Sequence, residues 1–270
     1  MKATLLLLAL LLAWTIALCA APPVGIRWIA HRGGVVDSRY AENSPASLEA
    51  AVKSGYWMIE SDIRETKDGA IITQHDPDFQ RFFGDPRNAN EMTLDQVRAL
   101  RAKPGGTAPM TFAELTKACK GRLRLMLDIK EPAHSARFYN EIVKELGSSG
   151  LLTSVYLIGL EEARPYFKGK VRISATTAEL EAAVARGEDV KNLYFLFEWG
   201  KTLTPEQVRF AQKHNVPVVP SVNTFHYDKD DPMEHGTSDI RRLRALGVTE
   251  FQIDSVYEPA FSTNSVGKLP

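Results

Sequence analysis

The sequence predicts an α/β protein, a (β/α)8 barrel of the TIM type with a small insertion after the second strand. Three observations lead there. Short apolar runs alternate with amphipathic stretches along most of the chain, the alternation counts to eight, and 270 residues is a length at which such barrels fold as one domain. Alternating β and α units imply a parallel sheet, and eight of them suit a closed barrel better than an open sheet.

The chain opens on Met1-Lys2, an apolar run from Leu5 to Leu18, and the small residues Ala20 and Ala21 before Pro22-Pro23. One cation, a short apolar stretch and a small-residue boundary describe a secretory signal peptide over 1–21, followed by a single domain over 22–270. The run is shorter than the roughly 20 residues needed to span a bilayer. Export to the periplasm or the extracellular space is therefore expected, with no stable membrane insertion after cleavage. Left uncleaved, the run would be an N-terminal anchor. Cys19 could also carry a lipid, although Leu18 before it fits a bacterial lipobox poorly. Cleavage leaves Cys119 as the sole thiol, so the mature chain can form no internal disulfide.

Candidate strands are Ile26–Ala30, Trp57–Ile63, Leu123–Ile129, Val155–Leu160, Val171–Ala175, Leu193–Phe197, Val216–Pro220 and Glu250–Ile253. Between them lie helical patterns at Ser44–Ser54, Ser135–Leu146, Ala178–Arg186, Pro205–His214 and Ser238–Leu246. Several begin at Ser, Thr or Pro, and several stop at Gly55, Gly147, Gly187 or Gly247. The segment from Asp76 to Pro109, with two Asp-Pro pairs, Gly105-Gly106 and one helical pattern at Thr93–Leu100, is an excursion from the barrel.

Chemistry enters where polar residues interrupt the apolar strands. Glu60 and Asp62 are two apart, so a strand's period of two puts both carboxylates on one face. The same spacing sets Asp128 beside Lys130, with Leu125, Leu127 and Ile129 facing the other way. The first strand runs directly into His31-Arg32-Gly33-Gly34. All three interruptions fall at C-terminal strand ends, where a barrel of this kind builds its active site. Three converging carboxylates repel by roughly 4 kcal/mol per pair at about 4 Å and an effective dielectric near 20. A divalent cation removes the conflict, and oxygen ligands favour a hard ion, Mg²⁺ or Ca²⁺. With such an ion, Arg32 and Lys130, the local charge sums to about +1, which suits a monoanionic phosphodiester.

Taken in order, His31-Arg32-Gly33-Gly34, Glu42-Asn43-Ser44, Glu60-Ser61-Asp62, His75-Asp76 and Asp128-Ile129-Lys130 resemble the signature of the glycerophosphodiester phosphodiesterase family, and Gln252-Ile253-Asp254 resembles its closing strand. The resemblance implies that His31 and His75 form an acid/base pair and that Glu60, Asp62 and Asp128 hold the metal. It further implies that Arg32 and Lys130 contact phosphate and that Glu42 and Asn43 support the site. Three departures stand out. Asp128 replaces the usual Glu, Ser44 the usual Thr, and Pro220-Ser221-Val222-Asn223 a strand end that usually carries Trp. The segment 224–237, with His226, Tyr227 and His235, is expected as a long loop, and Trp199 either packs on substrate or caps the barrel core.

The implied activity is metal-dependent hydrolysis of glycerophosphodiesters to glycerol 3-phosphate and an alcohol. Two alternatives remain: a phospholipase D-like lyase on the same barrel, resembling disulfide-bonded spider sphingomyelinases whose cysteines this chain lacks, and an exported phosphodiester-binding protein without turnover. Binding an anion needs cations but not two titratable imidazoles, which favours catalysis. Lys plus Arg and Asp plus Glu both total 33. There is accordingly no basic field for nucleic acid or an anionic membrane, and the partner sought is a small phosphodiester.

Overall fold

The computed structural model of the chain describes residues 25–34, 39–227 and 231–261. The expected leader over 1–21 lies outside them. Eleven strands follow in chain order: β1 (Arg27–Ala30), β2 (Met58–Glu65), β3 (Ile71–Thr73), β4 (Asp78–Phe79), β5 (Asp85–Asn88), β6 (Arg124–Ile129), β7 (Val155–Ile158), β8 (Arg172–Ala175), β9 (Tyr194–Trp199), β10 (Val218–Val222) and β11 (Glu250–Ile253). Eight of these pair in parallel in the order β1-β11-β10-β9-β8-β7-β6-β2, and β1 also pairs with β2, so the sheet closes on itself. Strand β3 turns back antiparallel on the end of β2, while β4 and β5 form a separate two-stranded sheet within the insertion.

Strand alternation sorts the side chains into two cores. Ile29, Met58, Met126, Tyr156, Phe195 and Val219 fill the barrel interior. Their neighbours one step along, among them Ala30, Ile59, Leu125, Leu127 and Val218, join the larger core beneath the helices. The N-terminal end of the barrel is closed by pairing rather than by a site: Glu250 takes hydrogen bonds from Arg27 at 3.0 Å and from the Tyr156 hydroxyl at 2.9 Å.

The helices start where the sequence places their caps. Ser44 accepts from the Ser47 amide ahead of Pro45–Ser54, and Thr176 and Thr204 do the same for Thr177–Ala185 and Pro205–Lys213, each answered by a Glu or Gln side chain three residues on. Two helices depart from expectation. Phe112–Cys119 was hidden by the Gly/Pro-rich approach to it, although Thr111 and Glu114 form a complete capping box. The last helix begins at Pro232, capped by Asp231, so the described part of the expected 224–237 loop is a short 3-10 turn at Thr224–His226 and the start of that helix. Polar residues at 234–238 mask the periodicity there. Among the described residues no helix is long and apolar enough to cross a membrane.

The turn that leaves β1 is the tightest point of the frame. Gly34 has φ 134°, and a Cβ there would lie 2.3 Å from the Ser47 carbonyl oxygen and 2.9 Å from the Ala51 Cβ, both on the first helix. Gly34→Ala should therefore cost about 3 kcal/mol, lowering Tm by roughly 6–12 °C. A thermal melt within 2 °C of wild type, on the order of a surface substitution, would show that the turn relaxes freely.

Candidate active site at the barrel mouth

The acidic centre follows from the register of two neighbouring strands. In the β2–β6 pair Glu60 stands opposite Met126 and Asp62 opposite Asp128, so three inward carboxylates meet above Met58 and Met126. One oxygen from each of Glu60, Asp62 and Asp128 lies within 4.8 Å of the others. Lys130 places its ammonium 2.8 Å from Asp62 Oδ1 and 2.6 Å from Asp128 Oδ2, and the Asn43 amide donates to Asp62 Oδ2 at 2.7 Å. Glu60 Oε2 accepts the Arg32 backbone N–H at 2.8 Å, whereas Glu60 Oε1 is buried with no partner.

These contacts set the charges. Burial, reinforced by Asp62 and Asp128, pushes the Glu60 carboxyl well above the ordinary carboxylate range. Burial also raises Asp128, against the pull of Lys130. Burial would raise Asp62 as well, but Lys130, His75 and the Asn43 amide outweigh it and hold that carboxyl low. Lys130 stays charged because the three acids outweigh its own desolvation. An unpartnered buried carboxylate oxygen within an all-oxygen cluster is what a hard divalent cation would satisfy, and the three acids fit such an ion.

His31 enters on the turn after β1. Arg32 (φ 53°) and Gly33 (φ 78°) both lie in the left-handed region, and a Cβ on Gly33 would stand 2.7 Å from Asn43 Cα, so only glycine lets the two loops meet. The His31 ring is held through Nδ1, 2.7 Å from Asp254 Oδ1, and its Nε2 lies 4.0 Å from Glu60 Oε2. The second Asp254 oxygen accepts the Thr224 N–H and hydroxyl, each at 2.7 Å. Burial opposes the Asp254 charge, but His31 and Thr224 prevail and keep it ionised.

His75 is held in the same manner. Its Nδ1 is 2.8 Å from Asp76 Oδ1, and its carbonyl accepts from Arg64 Nη2 at 2.7 Å. Arg81, in the insertion, grips Asp76 at 2.6 and 2.9 Å and Glu42 at 2.8 and 2.7 Å. Glu42 also accepts from Arg32 Nη1 at 3.2 Å, while Arg32 Nε is buried without a partner.

The nine expected site residues thus gather at one end of the barrel, with differences in detail. Lys130 and Arg32, expected on phosphate, are paired with acids in this structure. Trp199 does not cap the core: it is half exposed and stacks on His226, ring centroids 4.7 Å apart. Arg64 and Arg81 are not singled out by the sequence, and Asp254 enters there only within the closing-strand motif, with no role of its own. A signal existed for Asp254, since Glu250, Gln252 and Asp254 alternate along the last strand as Glu60 and Asp62 do along the second.

A model of the glycerophosphoryl diester phosphodiesterase family matches residues 31–239. Among curated proteins, glycerophosphodiester phosphodiesterase 1 of Mus musculus is 30% identical over 117 residues, 40% of this chain and 35% of that protein, and the Rattus norvegicus protein of the same name matches over the same length. The match thus spans about a third of the length of these relatives. Among solved structures, a glycerophosphoryl diester phosphodiesterase from Parabacteroides distasonis is similar at TM-score 0.71 and 19% identity, covering 93% of this chain and 90% of that one. A glycerophosphodiester phosphodiesterase from Thermotoga maritima is similar at TM-score 0.65 and 19% identity, covering 88% and 98%. At that identity the solved structures show a shared fold.

The raised Glu60 carboxyl has a measurable sign. Its folded form binds a proton more tightly than the unfolded chain does, so its favourable contribution is complete below the ordinary value of about 4.3 and is lost as pH rises above it. In chelator, Glu60→Gln should therefore gain Tm relative to wild type as pH rises above about 4.3. Added divalent ion should then raise wild-type Tm at neutral pH more than it raises that of Glu60→Gln. A Tm difference independent of pH would show that Glu60 is not desolvated in the folded protein.

Proposed function

Because the chain belongs to the glycerophosphoryl diester phosphodiesterase family, we propose that it hydrolyses glycerophosphodiesters to glycerol 3-phosphate and an alcohol, with His31 and His75 as the acid/base pair. The observation that carries this reading is the duplicated dyad. Each imidazole is held through Nδ1 by a carboxylate, Asp254 in one case and Asp76 in the other, and both rings act on one acidic cluster, His31 beside Glu60 and His75 on the charges of Asp62 and Asp128. A carboxylate at Nδ1 fixes the ring proton there and leaves Nε2 with its lone pair, ready to take a proton from an attacking oxygen. The same carboxylate stabilises the imidazolium that results, so the partner histidine can give a proton to the departing alcohol while the first holds one.

Glu60, Asp62 and Asp128 would hold a divalent Mg²⁺ or Ca²⁺. Such an ion, when bound, neutralises the acids and stabilises negative charge on the phosphoryl oxygens. Lys130 and Arg32 add fixed positive charge beside it, which binds and orients the anionic diester. Glu42 and Asn43 support them, Glu42 by gripping Arg32 and Asn43 by orienting Asp62. We further propose residues 1–21 as a signal peptide, 22–270 as the working domain and export as its destination, on the composition of the leader.

Turnover of glycerophosphocholine with and without added metal tests the reading. Chelation should abolish activity and Mg²⁺ or Ca²⁺ should restore it. Full activity in chelator would overturn the acidic centre, and binding without turnover would favour a capture protein.

Substituting Ala for either His31 or His75 should lower kcat by at least about 10² with KM changed little. Asp254→Asn should lower kcat at least about tenfold, since it keeps the side chain's shape but removes the charge that fixes the His31 tautomer. Unchanged kcat in any of the three would remove that residue from the dyads.

A further inference from the structure

The loop that leaves β6 is held in a conformation its own residues disfavour. Glu131 and Ala133 both sit in the left-handed region, at φ 68° and 70°, although each carries a Cβ that this region crowds. Contacts from outside the loop keep it there. Glu131 pairs with Arg64, the Ala133 N–H donates to Glu162, and His134 reaches back to the ends of both β2 and β6. Arg64 and Glu65 are consecutive on β2 and so face opposite ways, which lets that strand end grip the loop on two sides.

His134 is the centre of this grip. Its Nε2 lies 2.9 Å from the Lys130 carbonyl oxygen and its Nδ1 3.1 Å from Glu65 Oε2. Each ring nitrogen therefore faces an acceptor, and Nε2, which has only a carbonyl to meet, must donate. The ring stacks on Phe138 with centroids 3.8 Å apart and planes 12° apart, and its side chain is 6% exposed. Stacking fixes the plane of the ring, so its polar contacts are aimed. What they hold is Lys130. The Lys130 N–H donates to the Ile63 carbonyl at 3.1 Å, one step beyond the end of β6. From that point its side chain must set the ammonium between Asp62 and Asp128. The sheet ties the Lys130 N–H and His134 ties its carbonyl, so both main-chain groups of the residue are fixed.

We infer that His134 is a positioning residue for the reaction. Through the Lys130 carbonyl, and braced by Glu65 and Phe138, it fixes the main chain from which the Lys130 ammonium reaches the acid cluster and binds the anionic diester. The inference rests on the hydrolysis proposed above and deepens it.

The test is steady-state turnover of glycerophosphocholine by three variants, alone and combined with Lys130→Ala. His134→Phe keeps a ring on Phe138 and removes both polar contacts, so a role in packing alone would survive it. It should lower kcat/KM about tenfold, the worth of one buried hydrogen bond, and chiefly through KM. His134→Gln puts an amide nitrogen about where Nε2 stands and should recover kcat/KM to within about threefold of wild type, whereas His134→Asn, which reaches only as far as Nδ1, should not. On Lys130→Ala the Phe substitution should cost less than about twofold, because the group it positions is gone. Far-UV circular dichroism shows whether each variant folds, and the Gln and Asn pair decides if the Phe variant does not. An equal loss from His134→Phe with and without Lys130 would overturn the inference, and so would recovery by Asn but not Gln. Wild-type kinetics in His134→Phe would overturn it and leave the hydrolase standing. No turnover of any diester by the wild-type protein would overturn the hydrolase and the positioning role together.

Discussion

Two aspartates standing opposite each other on adjacent parallel strands are the constraint around which this site is organised. Asp62 and Asp128 are register partners, and Glu60 adds a third carboxylate one inward position below. Like charges at that spacing cost roughly 4 kcal/mol per pair at about 4 Å and an effective dielectric near 20. The surroundings answer that cost piece by piece. Lys130 bridges the two aspartates, Asn43 donates to one of them, and the Arg32 backbone N–H takes one oxygen of Glu60. What they leave unanswered is the other Glu60 oxygen, and it is this remaining deficit that makes the cluster receptive to a cation.

The same demand shapes the backbone. Asn43 can reach Asp62 only because its own residue sits at φ 56° and because Gly33 lets the loop after β1 approach its backbone. Asn tolerates that conformation better than most residues, since its short polar side chain bonds locally. The insertion is drawn into this arrangement as well. Arg81 holds Asp76 with one edge of its guanidinium and Glu42 with the other, so a segment outside the barrel fixes the loop that carries Arg32 and the dyad that carries His75.

Much of this was legible from residue order because it depends on short periods. All eight barrel strands fall where apolar runs predict them, and a period of two is enough to aim Glu60, Asp62 and Asp128 at one point. The parts that escaped depend on contacts between distant positions. His31 and Asp254 are separated by 223 positions, and Arg81 and Glu42 by 39, so neither pairing leaves a local trace. The helix at Phe112–Cys119 escaped for a different reason: its capping box is intact, but it follows glycines and prolines that read as continued loop. Trp199 lies at the end of a strand that runs two residues past the predicted Phe197, and only the neighbouring turn decides that it faces outward against His226.

The seam of the barrel gives the chain an order of events. β1 lies between β2 and β11, so one of its edges stays unsatisfied until residues 250–253 arrive. Bringing those ends together is the longest loop closure the sheet requires, and contacts of such separation are slow to form. The hydrogen bond that orients His31 crosses the same seam, from the end of β1 to the residue just after β11. Closing the barrel and orienting the His31 ring are consequently one step, and a chain in which β11 has not yet paired holds the acids of β2 and β6 without the Asp254 contact to that ring.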